Sequence, residues 1–299
     1  MAGMKDIKEL RERTGAGVLD CKKALEEKNG DVEAAVEYLR EKGIAAAAKK
    51  AGRVAAEGMV NVFIADDNQN GVIVEVNSET DFVAKNDKFK DLVSEISEHI
   101  LESDSETVED ILNESWFLDE NKDVNTILKE AIANIGENIN LRRIQKYSTE
   151  GFLQGYIHMG GKIGVMVDLD AEYSEENVVV AKDVAMHIAA SNPDFMTRED
   201  VTDEVIEKEK EIYKEQMLNE GKPEHIIDRI VEGKIDKFYS EVCLVEQPFV
   251  KDTDKTVGQL LEETGLSINS FTRYELGEGI DKAEEDFAEE VMREVNKNK

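Results

Sequence analysis

The first part of the chain shows the apolar spacing of short amphipathic helices. Apolar residues recur three and four positions apart in three successive segments, which is the period of a helix with one buried face. Asp31 is a good N-cap for the third helix, which is expected to end at Gly43. We therefore predict a three-helix domain over residues 1–54, whose Ala-rich end from Ile44 onward is a helical linker.

The middle of the chain contains an internal repeat. Residues 71–76 (GVIVEV) recur as residues 164–169 (GVMVDL), and blocks on either side recur at nearly the same offset. Each copy alternates apolar and polar residues over two segments and then changes to helical spacing. The pattern predicts an α+β fold in which residues 55–149 and 150–276 form two related subdomains. Each would be an antiparallel sheet covered on one face by helices.

A charged insertion follows inside the second subdomain. Residues 197–240 carry only a narrow apolar stripe and are broken at residues 219–223, so they predict an antiparallel helical hairpin. A solvated arm and a surface for self-association both fit this pattern. Residues 277–299 predict a last helical module whose apolar stripe includes Phe287 and either packs on the chain or docks on a partner.

Charge and composition narrow the classes of function. The 299 residues include 37 Lys and Arg against 67 Asp and Glu, a formal net charge of -30. Nucleic acids and anionic membranes are bound through Lys and Arg, so neither is expected as a partner. No apolar run approaches the roughly 20 residues of a membrane span. Cys21 and Cys243 form no disulfide framework, which favours a cytoplasmic location, and a salt-adapted source would also explain the acidity.

No catalytic or cofactor-binding pattern stands out. Neither residues 14–17 nor the glycines of residues 155–161 have the spacing of a phosphate-binding loop. The lysine pair beside Cys21 would lower the pKa of its thiol, but that domain has no histidine to act as a base. The histidines lack metal-ligand spacing, and His187 is expected to be a packed structural residue. We therefore expect no enzymatic activity, no cofactor and no metal.

One loop occurs in only one copy of the repeat. Residues 80–86 (TDFVAKN) follow the second strand of the first copy and have no counterpart at the same offset in the second. In one interpretation, Thr80 or Asp81 caps the next helix and Phe82 lies in its core. In the other, Phe82 is an exposed apolar anchor for a partner. Further along, the adjacent pair Arg142 and Arg143 is more typical of ion pairs with carboxylates than of a ligand site.

Two long sequence signatures resemble the elongation factor Ts family. The first covers residues 8–25 (KELRERTGAGVLDCKKAL) and the second residues 75–85 (EVNSETDFVAK). Shorter matches follow in the same order at residues 136–143 (GENINLRR), 247–250 (QPFV) and 271–280. The resemblance therefore extends over essentially the whole chain.

The resemblance implies a translation elongation factor that promotes exchange of GDP for GTP on the GTPase elongation factor Tu, without itself binding or hydrolysing nucleotide. It implies a ubiquitin-associated-like N-terminal domain that docks on the GTPase. The family's magnesium-dislodging loop stands here as Thr80, Asp81, Phe82 and Val83. The implied partner contacts are Arg11, Gly15, Gly17, Val18, Leu19, His158 and Phe287. A Met-Gly-Gly-Lys turn after His158 departs from the family pattern.

Two other classes of function stay open on the residues alone. One is an enzyme that uses Cys21 or a pair of carboxylates, and the other is an acidic scaffold that only dimerises. Stimulated release of GDP from elongation factor Tu distinguishes an exchange factor from both.

Overall fold

A computed structural model describes residues 3–281 of the chain, so the predicted helix that carries Phe287 lies outside the described residues. The chain divides into two compact units. The first combines the N-terminal helices with Glu75–Ile144 and the segment that begins at Glu275, and the second combines Val60–Val74 with Gln145–Tyr274.

The described residues form a mixed α and β structure, as predicted. The helices are α1 (Met4–Thr14), α2 (Val18–Glu27), α3 (Val32–Lys50), α4 (Asp81–Ala84), α5 (Asp87–Glu102), α6 (Val108–Asn113), α7 (Val124–Ile135), α8 (Glu175–Ser191), α9 (Asp203–Asn219), α10 (Glu224–Val242) and α11 (Val257–Thr264). The strands are β1 (Glu57–Ile64), β2 (Asn70–Ser78), β3 (Ser115–Trp116), β4 (Asp119–Asp123), β5 (Ile139–Ser148), β6 (Phe152–His158), β7 (Ile163–Leu169), β8 (Pro248–Phe249), β9 (Asp252–Thr256) and β10 (Ile268–Glu275).

The three N-terminal helices enclose a small core of their own. Leu10, Cys21 and Leu25 are fully buried there. Asp31 caps α3, because its carboxylate accepts a hydrogen bond from the Ala34 amide at 3.1 Å. The apolar spacing thus predicted these helices correctly.

Gly43 does not end the third helix, contrary to the prediction. Helix α3 continues to Lys50, and Gly43 is buried within it. A Cβ atom at this position would lie 3.1 Å from the Cβ of Ala133 in α7, which is tighter than an ordinary contact. The glycine therefore allows α3 and α7 to approach each other closely, and the Ala-rich stretch continues the helix instead of linking it to another element.

The two halves of the repeat share one topology. The larger sheets have the strand orders β1-β2-β5 and β10-β7-β6. In each half a short antiparallel hairpin, β3–β4 or β8–β9, leads through a helix, α7 or α11, into the third strand of the sheet. The repeat therefore includes a hairpin, a helix and a strand beyond the blocks whose sequences are similar, and the α+β prediction is confirmed.

The second unit has a continuous apolar core. Strands β6 and β7 pair antiparallel from Phe152–Leu169 to His158–Ile163, joined by the predicted turn at residues 159–162. Helix α8 packs on these two strands. The core side chains include Phe152, Val165, Val167, Leu169, Val184, Ile188, Leu244 and Phe249.

The predicted helical hairpin is formed by α9 and α10, which pack against each other. Its first helix begins at Asp203, because a capping box between Thr197 and Asp200 closes only a short 3-10 turn before it. The hairpin has its own cluster of buried side chains: Val201, Ile206, Met217, Ile227, Val231, Ile235 and Cys243. Among residues 3–281, no helix is both long and apolar enough to cross a membrane.

Candidate partner-binding site

Phe82 is exposed to solvent, so the interpretation of this residue as a core side chain is wrong. Its exposed fraction is 79% on the single-turn helix α4, while the neighbouring Val83 is buried. Thr80 occupies the N-cap position of α4 but makes no capping hydrogen bond through its side chain. Asn86 caps α5 instead, accepting from the Lys88 amide at 2.9 Å. The loop therefore presents an aromatic ring that the fold itself does not bury.

Charged groups lie beside the Phe82 ring. The Lys85 ammonium pairs with the Asp81 carboxylate at 2.6 Å and lies 5.8 Å from the centroid of the Phe82 ring. Both charged side chains are substantially exposed, so this pair contributes little to the free energy of folding. Its effect is local, since it places one charge of each sign next to an apolar ring.

Thr80 joins the start of this loop to the end of α7. The Glu137 carboxylate accepts hydrogen bonds from the Thr80 amide at 2.9 Å and from the Thr80 hydroxyl at 2.7 Å. Glu137 follows Gly136, which ends α7 in the left-handed conformation at a φ of 94°. The four predicted loop residues, Thr80 to Val83, therefore occupy one surface feature with a fixed base.

The predicted N-terminal contact residues lie at the turn between α1 and α2. Gly15 ends α1 at a φ of 66°, and its amide donates to the Arg11 carbonyl at 2.9 Å. Gly17 is the N-cap residue of α2, and the first two residues of that helix, Val18 and Leu19, are exposed, Leu19 by 73%. This turn presents two neighbouring apolar side chains to solvent.

His158 lies at the end of β6 in the second unit and is exposed. The Tyr156 hydroxyl is 3.0 Å from its Nδ1 atom, and the two rings stack with their centroids 5.9 Å apart. The neighbouring Ile157 and Met159 are also exposed. The loop residues and the N-terminal turn belong to the first unit, so the described site residues fall into three separate features.

Sequence reasoning predicted carboxylate partners for Arg142 and Arg143 but did not find the carboxylate, which is Glu75. This side chain is fully buried in β2 and accepts from Arg142 at 2.9 Å and from Arg143 at 2.6 Å. It also accepts from the Gly277 amide at 2.8 Å and from the Asn77 side chain at 2.9 Å. Burial alone would raise the pKa of Glu75, but these donors hold the pKa below its usual value. The sequence feature that could have identified Glu75 is that it is the one charged residue in the apolar segment 71–76.

The cysteines and His187 are structural. Both thiols are buried, and burial raises the pKa of Cys243 to about 11. Burial also raises the pKa of Cys21, so the lowering predicted from its lysine neighbours is wrong. His187 is fully buried with Nε2 at 2.8 Å from Oε1 of Gln247, which confirms its packed role. Within residues 3–281, no three His, Cys, Asp or Glu side chains are grouped so that they could hold a metal ion.

Comparison with known proteins agrees with this architecture. The sequence model of the family described as elongation factor TS matches residues 79–278. The chain is 73% identical over 294 residues to elongation factor Ts of Halothermothrix orenii, covering 98% of each chain. It is 54% identical over 301 residues to elongation factor Ts of Clostridium perfringens strain SM101, covering 98% of this chain and 99% of the relative. With elongation factor Ts of Clostridium botulinum strain Loch Maree it shares 52% identity over 307 residues and the full length of both chains.

These matches define the class of the protein as a translation elongation factor. Within that class, the chain belongs to the elongation factor Ts family.

Proposed function

We propose that this chain binds elongation factor Tu in its GDP-bound form, and then in its nucleotide-free form, and promotes the replacement of GDP by GTP. The observation that carries the proposal is the 79% exposure of Phe82 on a loop whose base is fixed by Glu137. The chain takes part as a binding partner in the cytoplasm and neither binds nor hydrolyses nucleotide itself.

Burial of the Phe82 ring against a partner would contribute a substantial part of the free energy of binding. Full burial of a phenylalanine side chain contributes about 1.5–3 kcal/mol. An aromatic anchor that fills a pocket on a partner commonly dominates the free energy of binding. Because Phe82 is exposed in the free chain, its burial is available to stabilise a complex in which the GTPase has opened to receive it.

The proposed action is on the magnesium ion of the partner. A magnesium ion that bridges nucleotide phosphates and protein is the largest local charge in such a site. A ring that inserts between elements of the GTPase and shifts the ligands of that ion weakens the hold on GDP. Thr80, Asp81 and Val83 are the loop residues that present Phe82 to the GTPase.

The remaining contacts provide affinity. We assign partner binding to Arg11, Val18 and Leu19 at the α1–α2 turn, with Gly15 and Gly17 shaping that turn, and a second contact to His158. Phe287 is assigned to the same role from its sequence position alone. Coupling between two ligands is reciprocal, so a factor that weakens GDP on the GTPase must itself be bound less tightly when GDP is present.

The test is release of a fluorescent GDP analogue from purified elongation factor Tu after addition of excess unlabelled GDP. We expect the purified chain to accelerate release at catalytic concentrations, saturating as the chain is increased. A matched control uses the same chain after thermal unfolding. No acceleration by the folded chain would refute the proposal and would favour the dimerising scaffold.

A further inference from the structure

Two carboxylates join the Phe82 loop to the turn that follows α7. Each segment contributes one of them, which accepts from a backbone amide of the other segment. Glu137 accepts from the Thr80 amide at 2.9 Å, and in return Glu79 accepts from the Asn138 amide at 2.6 Å. The four residues are two adjacent pairs on two chain segments, so each segment supplies one carboxylate and one backbone N–H. We call Glu79, Thr80, Glu137 and Asn138 the carboxylate clasp.

Every polar atom of Thr80 makes a hydrogen bond. Its amide and hydroxyl both donate to Glu137, and its carbonyl accepts from the Ser78 hydroxyl at 3.0 Å. Phe82 lies two residues further on, in a helix of four residues. A single helical turn is not stable by itself. The direction in which Phe82 points therefore depends on how the residues before it are held.

A second layer of contacts supports the clasp. Asn138 is almost fully buried, and its side-chain amide donates to the Arg53 carbonyl at 2.9 Å. The Arg53 guanidinium in turn pairs with the Glu79 carboxylate at 3.4 Å. The clasp is thereby joined to the segment that follows α3.

The second copy of the repeat shows that the fold does not require the clasp. Gly136 ends α7 in the left-handed conformation, and Gly265 ends α11 in the same way. Each glycine precedes its strand by three residues, so the segment 136–138 corresponds to 265–267. The position of Glu137 is there occupied by Leu266, a buried apolar residue. The copy that has no counterpart of residues 80–86 therefore also has no carboxylate at the position of Glu137.

We propose that Glu137 and Glu79 are positioning residues that hold the Phe82 loop in the orientation from which it acts on the GTPase. This inference rests on the proposed exchange function. Loss of the clasp leaves the other partner contacts intact, so it slows the maximal rate of GDP release more than it weakens binding. A residue needed only for stability would not separate these two quantities.

The experiment compares Glu137→Gln with Glu109→Gln in the full chain. The glutamine keeps the size of the side chain but removes the negative charge, and it has one acceptor oxygen where Glu137 offers a separate oxygen to each group of Thr80. Glu109 is exposed in the same unit, and its replacement removes the same charge. Stimulated release of fluorescent GDP from elongation factor Tu is measured over a range of factor concentrations.

We expect Glu137→Gln to lower the maximal rate at least about 5-fold, with half-saturation changed less than about 2-fold, since hydrogen bonds to a charged acceptor are strong. Glu109→Gln should match the wild type. Amide hydrogen exchange gives a readout that does not need the GTPase. The Thr80 amide should be protected in the wild type and in Glu109→Gln, and should exchange at least about 10-fold faster in Glu137→Gln.

The failures of the two proposals are distinguishable. If the wild type does not accelerate GDP release, the exchange function is refuted and the role of the clasp with it. If the wild type and Glu137→Gln accelerate release equally, or if the Thr80 amide keeps its protection in Glu137→Gln, only the positioning role is overturned. A fall in rate matched by a fall in the denaturation midpoint would also overturn it, because that is the signature of a stability defect.

Discussion

The Glu75 carboxylate accepts a hydrogen bond from Nε of Arg143 at 2.6 Å, although no part of Glu75 is exposed to solvent. Arg143 also donates to the Glu275 carbonyl at 2.9 Å. A charge buried without partners is strongly unfavourable, so Glu75 is retained in an apolar strand only because two arginine side chains, one backbone amide and one asparagine side chain donate to it there. The pair connects β2 and β5 to residues 275–278.

Replacing Glu75 by Gln should destabilise the chain by about 2–4 kcal/mol. The change removes the buried counter-charge that Arg142 and Arg143 share, and leaves Arg143 only its exposed partner. Breaking a buried ion pair on one side costs about 3–5 kcal/mol, and less is expected here because the arginines are partly exposed. The measurement is the urea midpoint. Glu278→Gln is the matched control, since it removes an exposed partner of the same Arg143 and should cost less than about 1 kcal/mol. Equal effects of the two changes would contradict the account.

The same carboxylate gives a pH dependence with a definite sign. Because the folded chain holds the pKa of Glu75 below its usual value, the stability that Glu75 contributes is present above about pH 4.3. It is lost as the pH falls through the folded-state pKa. The difference in stability between wild type and Glu75→Gln should therefore be constant near neutral pH and shrink under acid conditions. A difference that grows on acidification would be inconsistent with this.

His187 should make the chain less stable below about pH 6.5, which is the ordinary pKa of histidine. Burial lowers its pKa despite the hydrogen bond to Gln247, so the unfolded chain binds a proton before the folded chain does. Between pH 7.5 and 5.5, calorimetry should show a loss of stability that is smaller in His187→Gln, by at most about 1.4 kcal/mol at pH 5.5. A loss of stability in His187→Gln equal to that of the wild type would disprove a neutral buried His187.

The α9–α10 hairpin should be dispensable for folding of the rest of the chain. Its buried side chains form a cluster separate from the core of β6, β7 and α8. Replacing residues 203–239 by a short Gly/Ser linker should leave one cooperative thermal transition and stimulated GDP release, with less helical circular dichroism. Sedimentation of the same variant tests the prediction of self-association, which requires a shift toward monomer. Loss of the thermal transition would show that the hairpin belongs to the core.

The chain alone should not bind guanine nucleotide. Residues 14–17 form the turn that ends α1 and begins α2, and their glycines shape that turn. Titration calorimetry with GDP, in the absence of any GTPase, should give no binding heat at micromolar concentrations. Micromolar affinity would contradict the interpretation of these glycines as turn residues.

The sequence predicted correctly those features that depend on residues close together along the chain. Helix periodicity predicted α1 and α2, and Asp31 caps α3 as expected, accepting from the Ala34 amide at 3.1 Å. Gly43 misled the prediction because a glycine inside a helix has the same local signal as one that ends it. Only the approach of Ala133, far along the chain, distinguishes the two cases.

The candidate site was predictable only in part. The absence of the Phe82 loop from the second copy marked it as a feature beyond the scaffold. Its exposure could not be decided from the pattern, since a phenylalanine after a polar residue also suits a helix core. The contacts of Glu79 and Glu137 with the loop were not predictable, because they join residues that are nearly sixty positions apart and acidic side chains are abundant in this chain.

The central claim is that Phe82 acts on the GTPase and not on the stability of its own chain. Phe82→Ala and Phe89→Ala remove the same ring from an exposed and a fully buried position seven residues apart. The decisive measurement takes both the urea midpoint and the rate of stimulated GDP release, at subsaturating factor, for each variant. Phe82→Ala should cost less than about 1 kcal/mol of stability yet slow release about 10- to 150-fold, from the 1.5–3 kcal/mol of a buried ring. Phe89→Ala should cost about 3–5 kcal/mol of stability. A Phe82→Ala chain that releases GDP at the wild-type rate, or that loses stability as Phe89→Ala does, would contradict the account.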